Sequence, residues 1–212
     1  MRLTKYGHSC LVLEEQGKKV IVDPGEWTPE FGDAENVAAV VVTHVHGDHF
    51  SPKNLEAIFT KNPEAKLFTT GEVKAGFDKP NVVTPKAGDK VTIGSFTLEF
   101  FGSEHAEIDQ LKPVAQNIGV LINDNLYHPG DALTLPERPV KVLSLPSSAP
   151  WSKTSQTIQF LRDVNPSNFF FPTHDGLLSE NGKGTYNFWL TTAAEAYEFT
   201  FKILQPGDSV EV

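Results

Sequence analysis

The run His44-Val45-His46-Gly47-Asp48-His49 places three imidazoles and a carboxylate within six residues. Imidazole is the commonest protein ligand for zinc, and carboxylate beside it suits zinc or manganese. Closed structural metal sites are normally rich in cysteine, and the sole cysteine here, Cys10, stands far from this run. The run therefore reads as a metal site that keeps room for chemistry. Gly47 permits a tight backbone, so that neighbouring side chains can address two adjacent metals.

Such a cluster has to sit at the end of something rigid. Residues 37–42 (VAAVVV) form a continuous, β-branched apolar run, the mark of a strand buried on both faces, and they lead directly into Thr43-His44. Three more candidate ligands fall at corresponding places. His105 follows a strand predicted over 96–101, and His174 follows one over 168–171. Asp131 follows a strand over 126–128 and the turn Pro129-Gly130. A lone histidine past a strand is more often a surface residue, but agreement at four strand ends points to one assembled site.

The remaining elements frame those strands. Short strands are predicted over 3–6, 10–13 and 19–22, with a turn at Gln16-Gly17. Ser51-Pro52 opens a helix over 54–59. A strand over 66–69 and a helical turn over 71–76 follow. Gly94-Ser95 joins strands over 91–93 and 96–101, and Asn123-Asp124-Asn125 joins 117–122 to 126–128. Strands over 141–145 and 209–212 and helices over 152–164 and 186–199 complete the reading. Strands lead each half, helices follow, and no long linker intervenes. The expectation is an α/β chain forming a single domain over 1–212, with two sheets back to back and helices outside.

Composition narrows the partners. The 18 basic residues face 27 acidic ones, for a net charge of −9, and no run of Lys or Arg occurs. Polymeric nucleic acid is therefore a poor substrate and a small molecule the better expectation, although bound metals would add local positive charge. One cysteine allows no disulfide within this chain. The first eight residues lack an apolar signal core, and no stretch reaches the length of a membrane span. A cytoplasmic protein without a membrane partner is expected, with a homo-oligomer left open. Cys10 lies in the apolar run Cys10-Leu11-Val12-Leu13, where a buried thiol is usually inert. Trp27, Trp151 and Trp189 are candidates to line a pocket or to pack in the core.

The order Asp23, His-x-His-x-Asp-His at 44–49, His105, Gly130-Asp131 and His174 resembles the metallo-β-lactamase superfamily over nearly the whole chain. The resemblance implies a four-layer αβ/βα sandwich with metals at one edge of the sheets. It places His44, His46 and His105 on one metal, and Asp48, His49 and His174 on the other. Asp131 would bridge both, and Asp23 would fix the motif by hydrogen bonding. The opening Tyr6-Gly7-His8-Ser9-Cys10 and the stretch from Tyr127 to Ala132 resemble the branch that includes ascorbate-6-phosphate lactonase and many metal-dependent hydrolases. In that branch His8 would lie beside the metals, as a substrate contact or as a satisfied core histidine, and His128 would pack beneath them. The chain lacks the cysteine that true β-lactamases place at the second metal. Histidine at 46 and 49 departs from the oxygen-reducing di-iron branch and favours hydrolysis. The long insert of the nucleases is missing, and residues 145–151 depart from the lactonases.

The expected activity is hydrolysis of a small ester, lactone or phosphoester by a hydroxide shared between two divalent cations about 3.5–4 Å apart. Zn or Mn comes first among the metals, with Fe, Co and Ni open. Asp48 would also orient the water or accept a proton, and either water or His8 would protonate the leaving group. Two alternatives remain: a nucleotide phosphodiesterase or nuclease, and a metal-binding protein without catalysis. Loops over 104–114 and 179–184 are expected to shape the pocket.

Overall fold

A computed structural model describes residues 1–29, 31, 34–79 and 81–212. Among these residues the first sheet is built by β1 (Arg2–Lys5), β2 (Leu11–Glu15), β3 (Lys18–Val22), β4 (Val37–Val42), β5 (Lys66–Thr69) and β6 (Val82–Val83). Helix α1 (Pro52–Lys61) links β4 to β5, and α2 (Gly71–Gly76) links β5 to β6. The second sheet takes β7 (Lys90–Ile93), β8 (Phe96–Phe101), β9 (Gly119–Ile122), β10 (Leu126–His128) and β11 (Val142–Pro146). Helix α3 (Thr154–Val164), β12 (Phe169–Thr173) and α4 (Glu180–Tyr197) follow. The last strand, β13 (Ser209–Glu211), returns to the edge of the first sheet beside β1.

Direction decides what the strand ends can build. β3, β4, β5 and β6 pair in parallel, and β1 points the same way because β2 is antiparallel to both β1 and β3. In the second sheet β10, β11 and β12 are parallel, and β8 shares their direction across the antiparallel β9. The Ile118 amide donates to the Thr43 carbonyl at 3.0 Å, so the site edges of the two sheets meet. The C-terminal ends of β1, β3, β4, β8, β10 and β12 thus open on one rim.

Three apolar layers hold this arrangement. Leu3, Leu11, Val20, Val41 and Phe68 of the first sheet pack on Leu98, Phe100, Val120 and Phe171 of the second. The outer face of the first sheet buries Ile21, Val40, Val42 and Leu67 against Leu55 and Ile58 of α1 and Val73 of α2. The outer face of the second buries Leu143, Leu145 and Phe170 against Phe160, Leu161 and Leu190 of α3 and α4. The result is the expected αβ/βα order. β4 shows why its sequence does not alternate: Ala39 and Val41 face the other sheet while Val40 and Val42 face α1.

Differences from the sequence reading are local. α4 begins at Glu180 rather than 186, capped by the Ser179 hydroxyl, which accepts from the Gly182 amide. Residues expected to form a pocket loop at 179–184 are therefore mostly its first turns, disguised by Gly182 and Gly184. The short β6 carries only two residues, too few for a pattern to declare.

Candidate metal centre

Every candidate ligand stands just past the end of a strand on the shared rim: His8 after β1, Asp23 after β3, His44 after β4, His105 after β8, Asp131 after β10 and His174 after β12. His46, Asp48 and His49 follow His44 in a tight turn, closed by the His49 and Phe50 amides donating to the His46 carbonyl at 3.0 and 2.8 Å. His44, His46 and His105 bring one ligand atom each within 4.8 Å of one another. So do His44, His49 and Asp131, and so do His8, Asp48, His49 and His174. Between the groups, Asp131 Oδ2 lies 2.9 Å from His174 Nε2 and 3.4 Å from His105 Nε2, while Oδ1 lies 3.2 Å from His49 Nε2.

The opposite nitrogen of each ring fixes its tautomer. His105 Nδ1 faces the Ala106 carbonyl at 2.5 Å, and His174 Nδ1 faces the Ser148 carbonyl at 2.6 Å. A carbonyl only accepts, so both Nδ1 atoms carry hydrogen, and in the neutral ring the Nε2 lone pair is left free for a metal. His49 Nδ1 donates to Asp23 Oδ2 at 2.7 Å. Thr43 Oγ1 gives its single hydrogen to Asp23 Oδ2, so it accepts from His44 Nδ1 at 3.0 Å. With each of these rings neutral, Nε2 of His44, His49, His105 and His174 carries no hydrogen to give the nearby Asp131 oxygens, so these atoms and Asp131 Oδ1 are buried without a hydrogen-bond partner, as is His8 Nε2. Leaving such atoms unpaired costs about 1–3 kcal/mol each, a debt that divalent cations among these lone pairs would remove. A sulfur-free imidazole and carboxylate set fits such ions.

His8 has the reverse polarity. The Gly176 amide donates to its Nδ1 at 2.9 Å. The neutral ring therefore carries its hydrogen on Nε2, 3.3 Å from Asp48 Oδ2. His8 is placed beside the cluster as a donor, although its atom falls inside one of the geometric groups. Both ring nitrogens of His128 are engaged: its Nε2 meets Asp23 Oδ2 at 2.9 Å and its Nδ1 meets Ser144 Oγ at 2.7 Å.

Charge follows from burial and neighbours. Burial lowers the pKa of His44, with His49 adding to the effect, and burial likewise lowers that of His46. For His49 burial opposes charge, but Asp131 and Asp23 outweigh it and hold the ring well above the ordinary range. His174 is opposed by burial too, yet Asp131 and Asp48 raise it to about 9. Asp23, Asp48 and Asp131 are pushed upward by burial and pulled below the carboxylate range by the surrounding imidazoles. Cys10 is fully buried and its thiol is pushed well up by that burial, so it offers no nucleophile.

Several supporting residues escaped the sequence reading. Asn117 accepts from the Asp131 amide at 3.0 Å and donates to the Pro129 carbonyl at 2.9 Å, which shapes the turn that presents Asp131. Asn54 of α1 donates to the Gly25 carbonyl at 2.9 Å. Lys5, buried at the end of β1, donates to Asp175 Oδ2 at 2.8 Å and the Pro172 carbonyl at 3.0 Å, tying the first sheet to the end of β12. Position at or beside a strand end marked Lys5 and Asn117 but not their partners, and Asn54, inside α1, carried no such signal. Two glycines are steric requirements. A Cβ on Gly25 would lie 2.0 Å from the Asp48 carbonyl oxygen, and one on Gly130, at φ 63°, would lie 2.4 Å from Asn117 Oδ1. Asp23 and His174 themselves adopt positive φ of 47° and 57°, strain that the surrounding hydrogen bonds sustain.

Of the tryptophans, Trp151 donates to Asp131 Oδ2 at 2.9 Å and Trp27 stacks edge-on against His8 at 4.8 Å. Trp189 instead packs on Phe188 along α4, with both partly exposed.

The Beta-lactamase superfamily domain matches residues 2–174, which span the site from the first strand to the last histidine. The chain belongs to the metallo-β-lactamase superfamily. Protein Rv0786c of Mycobacterium tuberculosis is 34% identical over 191 residues, covering 88% of this chain and 89% of that one. A UPF0173 metal-dependent hydrolase of Carboxydothermus hydrogenoformans is 25% identical, covering 99% of each chain. The structure of Igni18, a metallo hydrolase from Ignicoccus hospitalis, superposes with a TM-score of 0.72 at 19% identity, covering 99% of this chain and 97% of that one. This superfamily member is a metal-dependent hydrolase whose candidate metal site is the His/Asp cluster at the sheet rim. No helix among the described residues is long and apolar enough to cross a membrane.

Proposed function

We propose that the chain hydrolyses a small ester or lactone with two divalent cations, Zn or Mn first, held by His44, His46, His105, Asp48, His49, His174 and the shared Asp131. The observation that carries this reading is the convergence of four buried Nε2 lone pairs, each oriented by a hydrogen bond on the far side of its ring. When bound, such cations supply an acidified water as nucleophile and a Lewis acid for the substrate oxygen.

The chain's own residues do the rest. His44, His46 and His105 would hold one cation; Asp48, His49 and His174 would hold the other. Asp23 locks His49 and, through Thr43, His44. Trp151 fixes Asp131 from the pocket side. Asp48 orients the attacking water. His8 does not ligate: its Nε2 hydrogen, set by the Gly176 amide, is offered to the substrate or leaving group. In this reading one domain carries the whole site and acts on a small molecule.

The test is turnover of a lactone and aryl-ester panel beside a phosphodiester, with Zn- and Mn-loaded protein. The expected result is ester or lactone turnover that excess chelator abolishes, that His46→Ala lacks, and that His8→Ala loses in kcat while retaining metal. Turnover of the phosphodiester alone would transfer the protein to the phosphodiesterases. Stoichiometric metal with no turnover of any class would favour a binding role.

A further inference from the structure

Beside the metal centre the chain between β8 and β9 rises as a flap. Its stem is pinned by the His105 amide on the Ala115 carbonyl at 2.9 Å and the Asn117 amide on the Ser103 carbonyl at 3.1 Å. The Ala106 amide also donates to the Asp131 carbonyl at 2.8 Å, so the flap base is bonded to the turn that carries Asp131. Above that stem the flap leaves Ile108 at 54%, Leu111 at 90% and Val114 at 44% exposure. Three large apolar residues so close together are costly in water unless something covers them.

They line a groove of about 380 Å³ with Ala106, Pro113 and Ala115. His46, His105 and Ile108 line this groove and also the cavity over the metal centre, so the two adjoin. The cavity over the metals is lined by Glu26, Asp48 and Asp131, of which Asp48 and Asp131 would hold the cations, while the groove is lined by one charge of each sign, Asp109 and Lys112. The groove therefore offers an extended substrate no net charge to pair with, and its apolar side chains are what remains to bind one. An apolar arm would cover the exposed side chains and displace water from them.

Resting on the hydrolytic reading above, we infer that the substrate carries an apolar alkyl or acyl arm, which lies in the flap groove while its ester or lactone carbonyl faces the metal centre. The flap is thus a chain-length selector: each methylene seated in the groove adds a roughly constant increment of binding, about three- to fourfold in affinity.

The test uses the metal-loaded protein and N-alkyl acetamides of two to ten carbons, which are neither hydrolysed readily nor strong chelators. Binding is read by the fluorescence of Trp27 and Trp151, which line the adjoining cavity. The expected result is a Kd that falls about three- to fourfold per methylene until the groove is filled. The double variant Ile108→Ser, Leu111→Ser should flatten that series with metal content unchanged. A flat series in the unsubstituted protein, or a slope that the double variant keeps, overturns the inference. So does a wild-type dimer that this variant converts to monomer, because the flap would then be a contact between copies. If the chain-length slope is present but alkyl esters of the same lengths are inert, the groove stands and the hydrolytic reading fails.

Discussion

Asp23 and Leu111 stand at opposite extremes of one site. Asp23 is fully buried beneath the metal centre and accepts from Thr43 N, Thr43 Oγ1, His49 Nδ1 and His128 Nε2. Leu111, on the flap beside it, is 90% exposed, and its backbone amide rests on the Asp109 side chain of its own loop. The floor is over-determined and the flap under-determined. A floor of this kind serves chemistry, because ligands must be held before the metal arrives. A wall of this kind serves selection, because loops can change what they accept without moving the floor.

The sharpest break in that contrast is Asp23→Ala. It strands two imidazoles and a hydroxyl in a buried space, and breaking a buried charge network of this kind costs about 3–5 kcal/mol. Metal affinity should fall by about 10–100-fold as well. Thermal unfolding and metal titration read both losses, and retention of either value would show that the floor is not organised by this residue.

The pH response of the floor comes next. His174 has a pKa of about 9 in the absence of metal, above its ordinary 6.5. Its protonated form therefore stabilises the metal-free fold fully below pH 6.5, and that contribution is lost as pH rises through about 9. Chelator-treated protein should melt at progressively lower temperature across that window. Metal binding should release protons and tighten as pH rises over the same range, because the ligand nitrogen must be bare. A metal-free melting temperature that rises from pH 6.5 to 9 would contradict the assignment.

Gly130→Ala should have a smaller effect, about 1–3 kcal/mol, from a strained positive φ and a clash with Asn117 and Thr43. Its particular mark would be loss of activity beyond the loss of stability, since the same turn presents Asp131. At the far end, Leu111→Ser should leave stability within about 0.5 kcal/mol of the parent. A larger destabilisation would show that the flap packs as part of the fold.

The same contrast explains what the sequence reveals. VAAVVV at 37–42 announces a strand covered on both faces, and the ligands announce themselves because each follows such a strand. Parallel pairing then carries them to one rim, so spacing along the chain becomes adjacency in space. Asn54, Asn117 and Lys5 were not legible, since their partners are backbone carbonyls and amides, and one carboxylate, from distant segments. The polarity of His8 was equally hidden: it depends on the Gly176 amide, 168 residues away. The first turns of α4 were masked by glycines whose helical state rests on the Ser179 cap. Flap residues 107–114 carry no periodic pattern, because all of them are exposed and no buried face imposes one.

In the proposed arrangement, buried Nε2 lone pairs hold two metals while His8 holds none. Elemental analysis of protein dialysed after loading with Zn or Mn tests it most directly, on the parent chain, His49→Gln and His8→Gln. About two ions per chain in the parent and in His8→Gln, with clear loss in His49→Gln, is the expected result. One ion or none in the parent, or loss of an ion in His8→Gln equal to that in His49→Gln, would contradict it.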